Sequence, residues 1–128
     1  MQSTRISWVG GEHEFALPIG NLRALQTSCD AGPQEVYNRI TLGTWRVDDL
    51  FETVRQGLIG GGMTVSDAGP LVTRLFETHP LKEFEPVASA VLLVSLVGDD
   101  EGDDEGKPEG ETSPPENGGS QKSTETAQ

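Results

Sequence analysis

Apolar and polar residues alternate at the start of the chain, then switch to helical spacing for most of the remainder. Over residues 4–9, Ile6 and Trp8 share one face while Arg5 and Ser7 share the other. Gly10-Gly11 follows, a pair suited to the positive φ angles of a tight turn. Residues 12–17 return with His13, Phe15 and Leu17 on one face and Glu12, Glu14 and Ala16 on the other. This pattern predicts a β-hairpin. Two strands alone are marginal in water, so Trp8, Phe15 and Leu17 are expected to rest on helices.

Helical spacing begins after Pro18. Ile19, Leu22, Leu25 and Cys29 predict a short helix from about Asn21. Gly32-Pro33 opens a second, with proline at the first helical position, Val36, Tyr37 and Ile40 inward, and Gly43 as its stop. The organising stretch is residues 44–63, where Val47, Leu50, Phe51, Val54 and Leu58 fall on one face. Asp48 and Asp49 occupy the first turn, where carboxylates meet the positive end of the helix dipole. Glu52, Thr53, Arg55 and Gln56 are expected on the solvent face, and Gly60, Gly61 and Gly62 as a helix stop and flexible turn. Ser66 or Asp67 is expected to cap a fourth helix, with Leu71, Val72, Leu75 and Phe76 inward and Pro70 in its first turn. A fifth helix is expected from Leu81 or Phe84 to Leu96, with Pro86 kinking it or marking its start. Its run VASAVLLVSLV, residues 87–97, is apolar nearly all round. A strand is the rival reading, since four of those eleven residues are valine, but the length favours a helix.

Charge divides the chain. Residues 1–97 carry eleven acids against seven bases, whereas residues 98–128 carry ten acids against two lysines. The last quarter therefore holds two thirds of the net charge of −12. It opens with the repeat GDDEGDDEG and contains no aromatic residue, so it is expected to stay disordered. The fold class that follows is α+β, mostly α: a hairpin on a bundle of about five short helices over residues 1–97, then an acidic tail over 98–128. With no basic stripe to displace counterions, a nucleic-acid partner is not expected. The longest apolar run is about half the ~20 residues a membrane span needs, so no membrane partner is expected either.

Candidate chemistry is sparse. His13, Cys29 and His79 are scattered without metal-ligand spacing, so no metal is expected. Cys29, the single cysteine, continues an apolar helix face and reads as packing. The triple glycine lacks the lysine and hydroxyl residue of a phosphate loop, and GDDEGDDEG lacks EF-hand spacing. Val65-Ser66-Asp67 has the wrong order for an acyl carrier's attachment serine. No catalytic group and no cofactor are expected. The remaining signal is the apolar helix at 87–97. It is either a central core helix or one side of a groove for an apolar partner segment, with Phe84, Val91, Leu92 and Ser95 shared between core and groove.

The order of elements supports a resemblance. A hairpin, then LPIGNLRALQ, then WRVDDLFETVRQGLIGGGMTVSDA, then a small apolar helix resembles the tail assembly chaperones of the gene transfer agent family, encoded among phage tail genes. Asp49-Leu50, Gly57-Leu58 and Gly60 to Gly62, followed by Ser66-Asp67, carry the likeness, which covers residues 4–97. The resemblance implies a non-enzyme that binds the tape-measure protein of the tail and keeps it soluble until the tube assembles. It further implies action in the cytoplasm of the bacterial host and release before the particle matures. The tail tube protein and a second copy of the chain are further possible partners. Asp99, Asp100, Asp103 and Asp104 join the four helix residues as candidate partner contacts. Two other readings stand beside it: a small structural subunit of the tail or connector, and an acidic adaptor or inhibitor acting through the tail.

Overall fold

The computed structural model describes residues 3–98. Two strands, β1 (Ser3–Trp8) and β2 (Gly11–Ala16), precede the helices α1 (Ile19–Cys29), α2 (Pro33–Leu42), α3 (Val47–Gly60) and α4 (Val65–Thr78). A single 3₁₀ turn (Leu81–Phe84) then leads into α5 (Glu85–Val97). The expected hairpin and five helices are all present. The tail and its four aspartates lie outside the described residues.

The hairpin is antiparallel, with Thr4 opposite Phe15, Ile6 opposite His13 and Trp8 opposite Gly11. Its turn is therefore Val9-Gly10, one residue earlier than expected, and of the two glycines only Gly11 takes a positive φ, +112°. Gly10 is needed for space instead: a Cβ there would lie 2.6 Å from Trp8 Cζ2 and 2.8 Å from Leu75 Cδ1.

α3 packs against α1, α2, α4, α5 and β2. That position overturns the expected solvent face. Asp49 and Thr53 are fully buried and Gln56 nearly so, because α1 covers this side. Thr53 Oγ1 donates to the Asp49 carbonyl at 2.6 Å, and Asn21 Nδ2 donates to Gln56 Oε1 at 2.8 Å. The helix starts at Val47 and not Thr44, and Val47 itself is 52% exposed. Leu50, Val54 and Leu58 form the core face as expected, with Phe51 half-buried beside them.

The glycines at the end of α3 are also more than a stop. A Cβ on Gly60 would collide with the Ala16 carbonyl and lie 2.6 Å from Pro18 Cδ. One on Gly61 would collide with the Glu14 carbonyl and lie 3.1 Å from Phe15 Cα. At Gly57 it would meet Phe15 Cδ2 at 2.9 Å and Val91 Cγ1 at 3.1 Å. Absence of side chains lets the β2 backbone lie directly on the helix. Only Gly62, at φ +122°, uses the conformational freedom expected of a turn.

Smaller departures follow the same logic of context. α1 begins at Ile19, which is 65% exposed, and buries Leu25 and Cys29. α4 is capped by Thr64, whose Oγ1 accepts from Asp67 N at 3.2 Å, so neither Ser66 nor Asp67 is the cap. Pro70 consequently falls in the second turn. Val72 and Leu75 point inward as expected, joined by Ala68, while Leu71 and Phe76 are half-buried. α5 is a helix and not a strand, and Pro86 sits in its first turn. It buries Val87, Ala88, Val91 and Leu92, yet exposes Leu93 and Val97 on its other side.

An aromatic row ties the hairpin to the bundle. Trp8 meets Phe15 and Phe84 edge-on, with centroids 5.7 and 6.4 Å apart. Phe84 stacks on Phe76 at 4.0 Å, and Phe76 meets Phe51 edge-on at 5.2 Å. Each fully buried ring of this kind is worth about 1.5–3 kcal/mol, with about 0.5–1.5 kcal/mol more for a well-placed aromatic pair.

Gly60→Ala should destabilise the domain by about 1–3 kcal/mol, because the β2 backbone cannot yield as a flexible side chain does. Gly20→Ala is the control, having nothing within 4 Å of its Cβ; it should be neutral or stabilise by up to about 1 kcal/mol. Urea denaturation of the two variants measures both, and equal effects would refute the close-approach reading.

Candidate functional site

Three of the four helix residues nominated from sequence lie in the core. Phe84 and Leu92 are wholly buried and Val91 is 2% exposed, so they present no surface in this fold. Ser95 is half-buried, and its hydroxyl turns back to the Val91 carbonyl at 3.4 Å. Asp99, Asp100, Asp103 and Asp104 lie outside the described residues.

The accessible feature is instead an open groove of about 540 Å³ lined by Ile6, Ser7, Trp8, Val9, Glu83, Pro86 and Val87. Consecutive strand residues point to opposite faces. Ile6 to Val9 can all line one groove only if it runs along the edge of β1. The opposite wall is the 3₁₀ turn and the start of α5. Trp8 is fixed there from two sides: its Nε1 donates to His13 Nδ1 at 2.9 Å, and its ring lies against Phe84. Lys82 and Glu85 pair at 3.7 Å on the same junction, and Trp45 Nε1 donates to the Glu85 carboxylate. Glu83 is exposed. The sequence reading missed this groove because its attention went to the most apolar helix. The available signal was topological: a two-stranded sheet must have two edges, and each needs a cover.

The titratable groups elsewhere serve the fold. Asp49 lies at the start of α3, where its Oδ2 accepts from Arg46 N at 2.8 Å. Its Oδ1 accepts from Arg39 Nη1 at 3.1 Å. The Cys29 carbonyl at the end of α1 receives Arg39 at 3.4 Å and also the Arg46 guanidinium. One buried carboxylate thus joins α1, α2 and α3. Beside it the Cys29 Sγ donates to the Asp48 carbonyl at 3.5 Å. Burial, and after it the charge of Asp49, pushes the thiol up from 9.0 to about 12. A thiol held protonated is a poor nucleophile, and Cys29 acts as packing. His13 is engaged by Trp8, while His79 Nδ1 lies 3.0 Å from Thr78 Oγ1 and 3.2 Å from the Leu75 carbonyl. Among the described residues no three His, Cys, Asp or Glu side chains converge on a metal position. No helix among them is long and apolar enough to cross a membrane.

Residues 2–98 match the family model described as phage tail tube protein, GTA-gp10. The chain belongs to this family of gene transfer agent and phage tail proteins. The description names a tail tube protein and not a chaperone, so the resemblance was right about the tail and finer than this match about the role. No curated protein and no solved structure matches the chain.

Arg39→Met leaves the buried Asp49 carboxylate with one backbone N–H, and should destabilise the domain clearly. Glu35→Gln removes only the exposed end of the same cluster, since Glu35 is 63% exposed, and should change stability by less than about 1 kcal/mol. Chemical denaturation of both variants tests the ranking. For Cys29, the fold favours the neutral thiol. Its contribution to stability is therefore complete below pH 9.0 and declines as pH rises towards about 12. The native thiol should resist a disulfide reagent at pH 8 and react at once in denaturant. The alkaline slope in stability should shrink in Cys29→Ala.

Proposed function

We propose that this chain is a small non-enzymatic structural subunit of the tail of a phage or phage-like particle. Membership of the GTA-gp10 tail family over residues 2–98 carries the reading. Physical support is secondary but points the same way: the single cysteine is buried with its thiol pushed towards the protonated form, while an accessible apolar groove suits a protein partner. Partners on this reading are other tail proteins and copies of the chain itself.

The groove also keeps a second reading in play, an assembly chaperone that holds the tape-measure protein in the bacterial cytoplasm and leaves before the particle matures. Long helical proteins with uncovered apolar stripes aggregate, and an open apolar groove on a strongly acidic chain could shield them. The two readings make opposite forecasts for one quantity. Quantitative mass spectrometry of purified particles should find a structural subunit at a fixed ratio to the other tail proteins. Absence from particles, with a soluble complex between this chain and the tape-measure protein in lysates, would replace the structural reading with the chaperone one.

A further inference from the structure

Trp8 and His13 lie on the same face of the hairpin as Ile6 and Phe15. Trp8 Nε1 donates to His13 Nδ1 at 2.9 Å, and the two rings meet edge-on with centroids 5.8 Å apart. The direction of that bond is forced. An indole nitrogen can only donate, so Nδ1 has to offer a lone pair. The imidazole is therefore neutral, with its proton on Nε2. A second proton turns both ring nitrogens into donors, and the indole N–H then faces another N–H.

The surroundings offer the charged ring no substitute. Among the described residues no carboxylate pairs with His13. Glu12 and Glu14 flank it in sequence but lie on the opposite face, where both pair with Arg5, at 3.2 and 3.7 Å. α3 meets β2 through Gly57, Gly60 and Gly61, and its nearest charges, Glu52 and Arg55, pair with each other at 3.1 Å. At the start of α5, Lys82 pairs with Glu85 at 3.7 Å, and Glu83 is exposed. On α4, Asp67, Arg74 and Glu77 are exposed. His79, at the end of α4, makes the contrast: its Nδ1 lies 3.2 Å from the Leu75 carbonyl, an acceptor that a protonated ring keeps. Protonation suits the contacts of His79 and breaks that of His13.

We infer that His13 is a protonation switch for Trp8: the neutral ring pins the indole to the hairpin, and the imidazolium releases it. Release matters at this position because the Trp8 ring is part of the groove wall, together with Ile6 and Val87. The change is local. Trp8 is half-buried, whereas Phe15 and Phe84, the rings it touches, are fully buried and belong to the core. Side-chain rotation can therefore move the indole while the helices stay packed. The groove presents one wall at neutral pH and another in acid, whichever partner uses it. This inference concerns one pair of side chains and stands apart from the chain's place in a tail.

The test follows the full chain by NMR from about pH 8 to about pH 5, the range in which histidine changes charge. At the upper end His13 should show the Nε2–H tautomer, and the Trp8 indole proton should be protected from exchange. On acidification that protection, taken against the intrinsic rate at each pH, should fall at least tenfold. Its midpoint should match the one at which the His13 ring nitrogens report protonation, while the backbone amides of α3 keep their protection. His13→Asn puts an amide oxygen that does not titrate near the Nδ1 position, and should keep Trp8 protected throughout. His79→Gln should leave the transition as it is in the unaltered chain. Unchanged protection of Trp8 across the range, a midpoint that differs from that of His13, or a transition that survives in His13→Asn overturns the inference. Loss of the α3 amides at the same midpoint, which marks global unfolding, overturns it as well. The midpoint comparison uses the unaltered chain and is independent of how the variants fold.

Discussion

The β2 backbone lies on the C-terminal end of α3 with no side chain between them, and the remaining architecture depends on that contact. A two-stranded ribbon has too little surface to hold itself together in water; here it borrows stability from the helix. Gly57, Gly60 and Gly61 remove the atoms that would hold the strand away, so Phe15 sinks into the core beside Val91. Once β2 is seated, Trp8 on the partner strand is carried over Phe84. The aromatic row then runs on through Phe76 to Phe51. The same contact covers one edge of the hairpin and leaves the other facing the start of α5, which is why the groove lies where it does.

The opposite end of α3 is fixed by different physics. There Asp49, fully buried, accepts the backbone N–H of Arg46 at the helix cap and draws in Arg39 from α2. Arg39 and Arg46 in turn satisfy the last carbonyl of α1. Buried pairs of this kind are weak sources of net stability but costly to break, so they fix which elements meet more than how tightly they hold. With glycine contacts at one end and a buried carboxylate at the other, α3 is clamped along its length.

The departures from the sequence reading share one cause. Helical periodicity identifies a most apolar face, but it cannot reveal that a second face will be covered too. Thr53 and Gln56 therefore read as solvent-facing, yet α1 lies over them. For Phe84, Val91 and Leu92 the same pattern left a core helix and a partner groove open, and their side chains lie in the core. The glycine run had an available local explanation, a helix stop, and only Gly62 conforms to it. Gly60 and Gly61 answer to a strand more than forty residues earlier in the chain.

The sequence by itself determined the order and kind of the elements: a hairpin from period-two alternation, helices from 3.6-residue spacing, and boundaries from Pro33, Gly43 and Pro86. These features arise from local backbone sterics and nearest-turn contacts, which a linear pattern encodes directly. The resemblance read from the sequence spans residues 4–97, nearly the same residues that the family match covers. The tertiary structure alone decided which faces of α3 and α5 are covered, what the glycines are for, and which edge of the hairpin stays open. Those outcomes depend on contacts between residues far apart in the chain, where the geometry of approach decides the result and residue type alone does not.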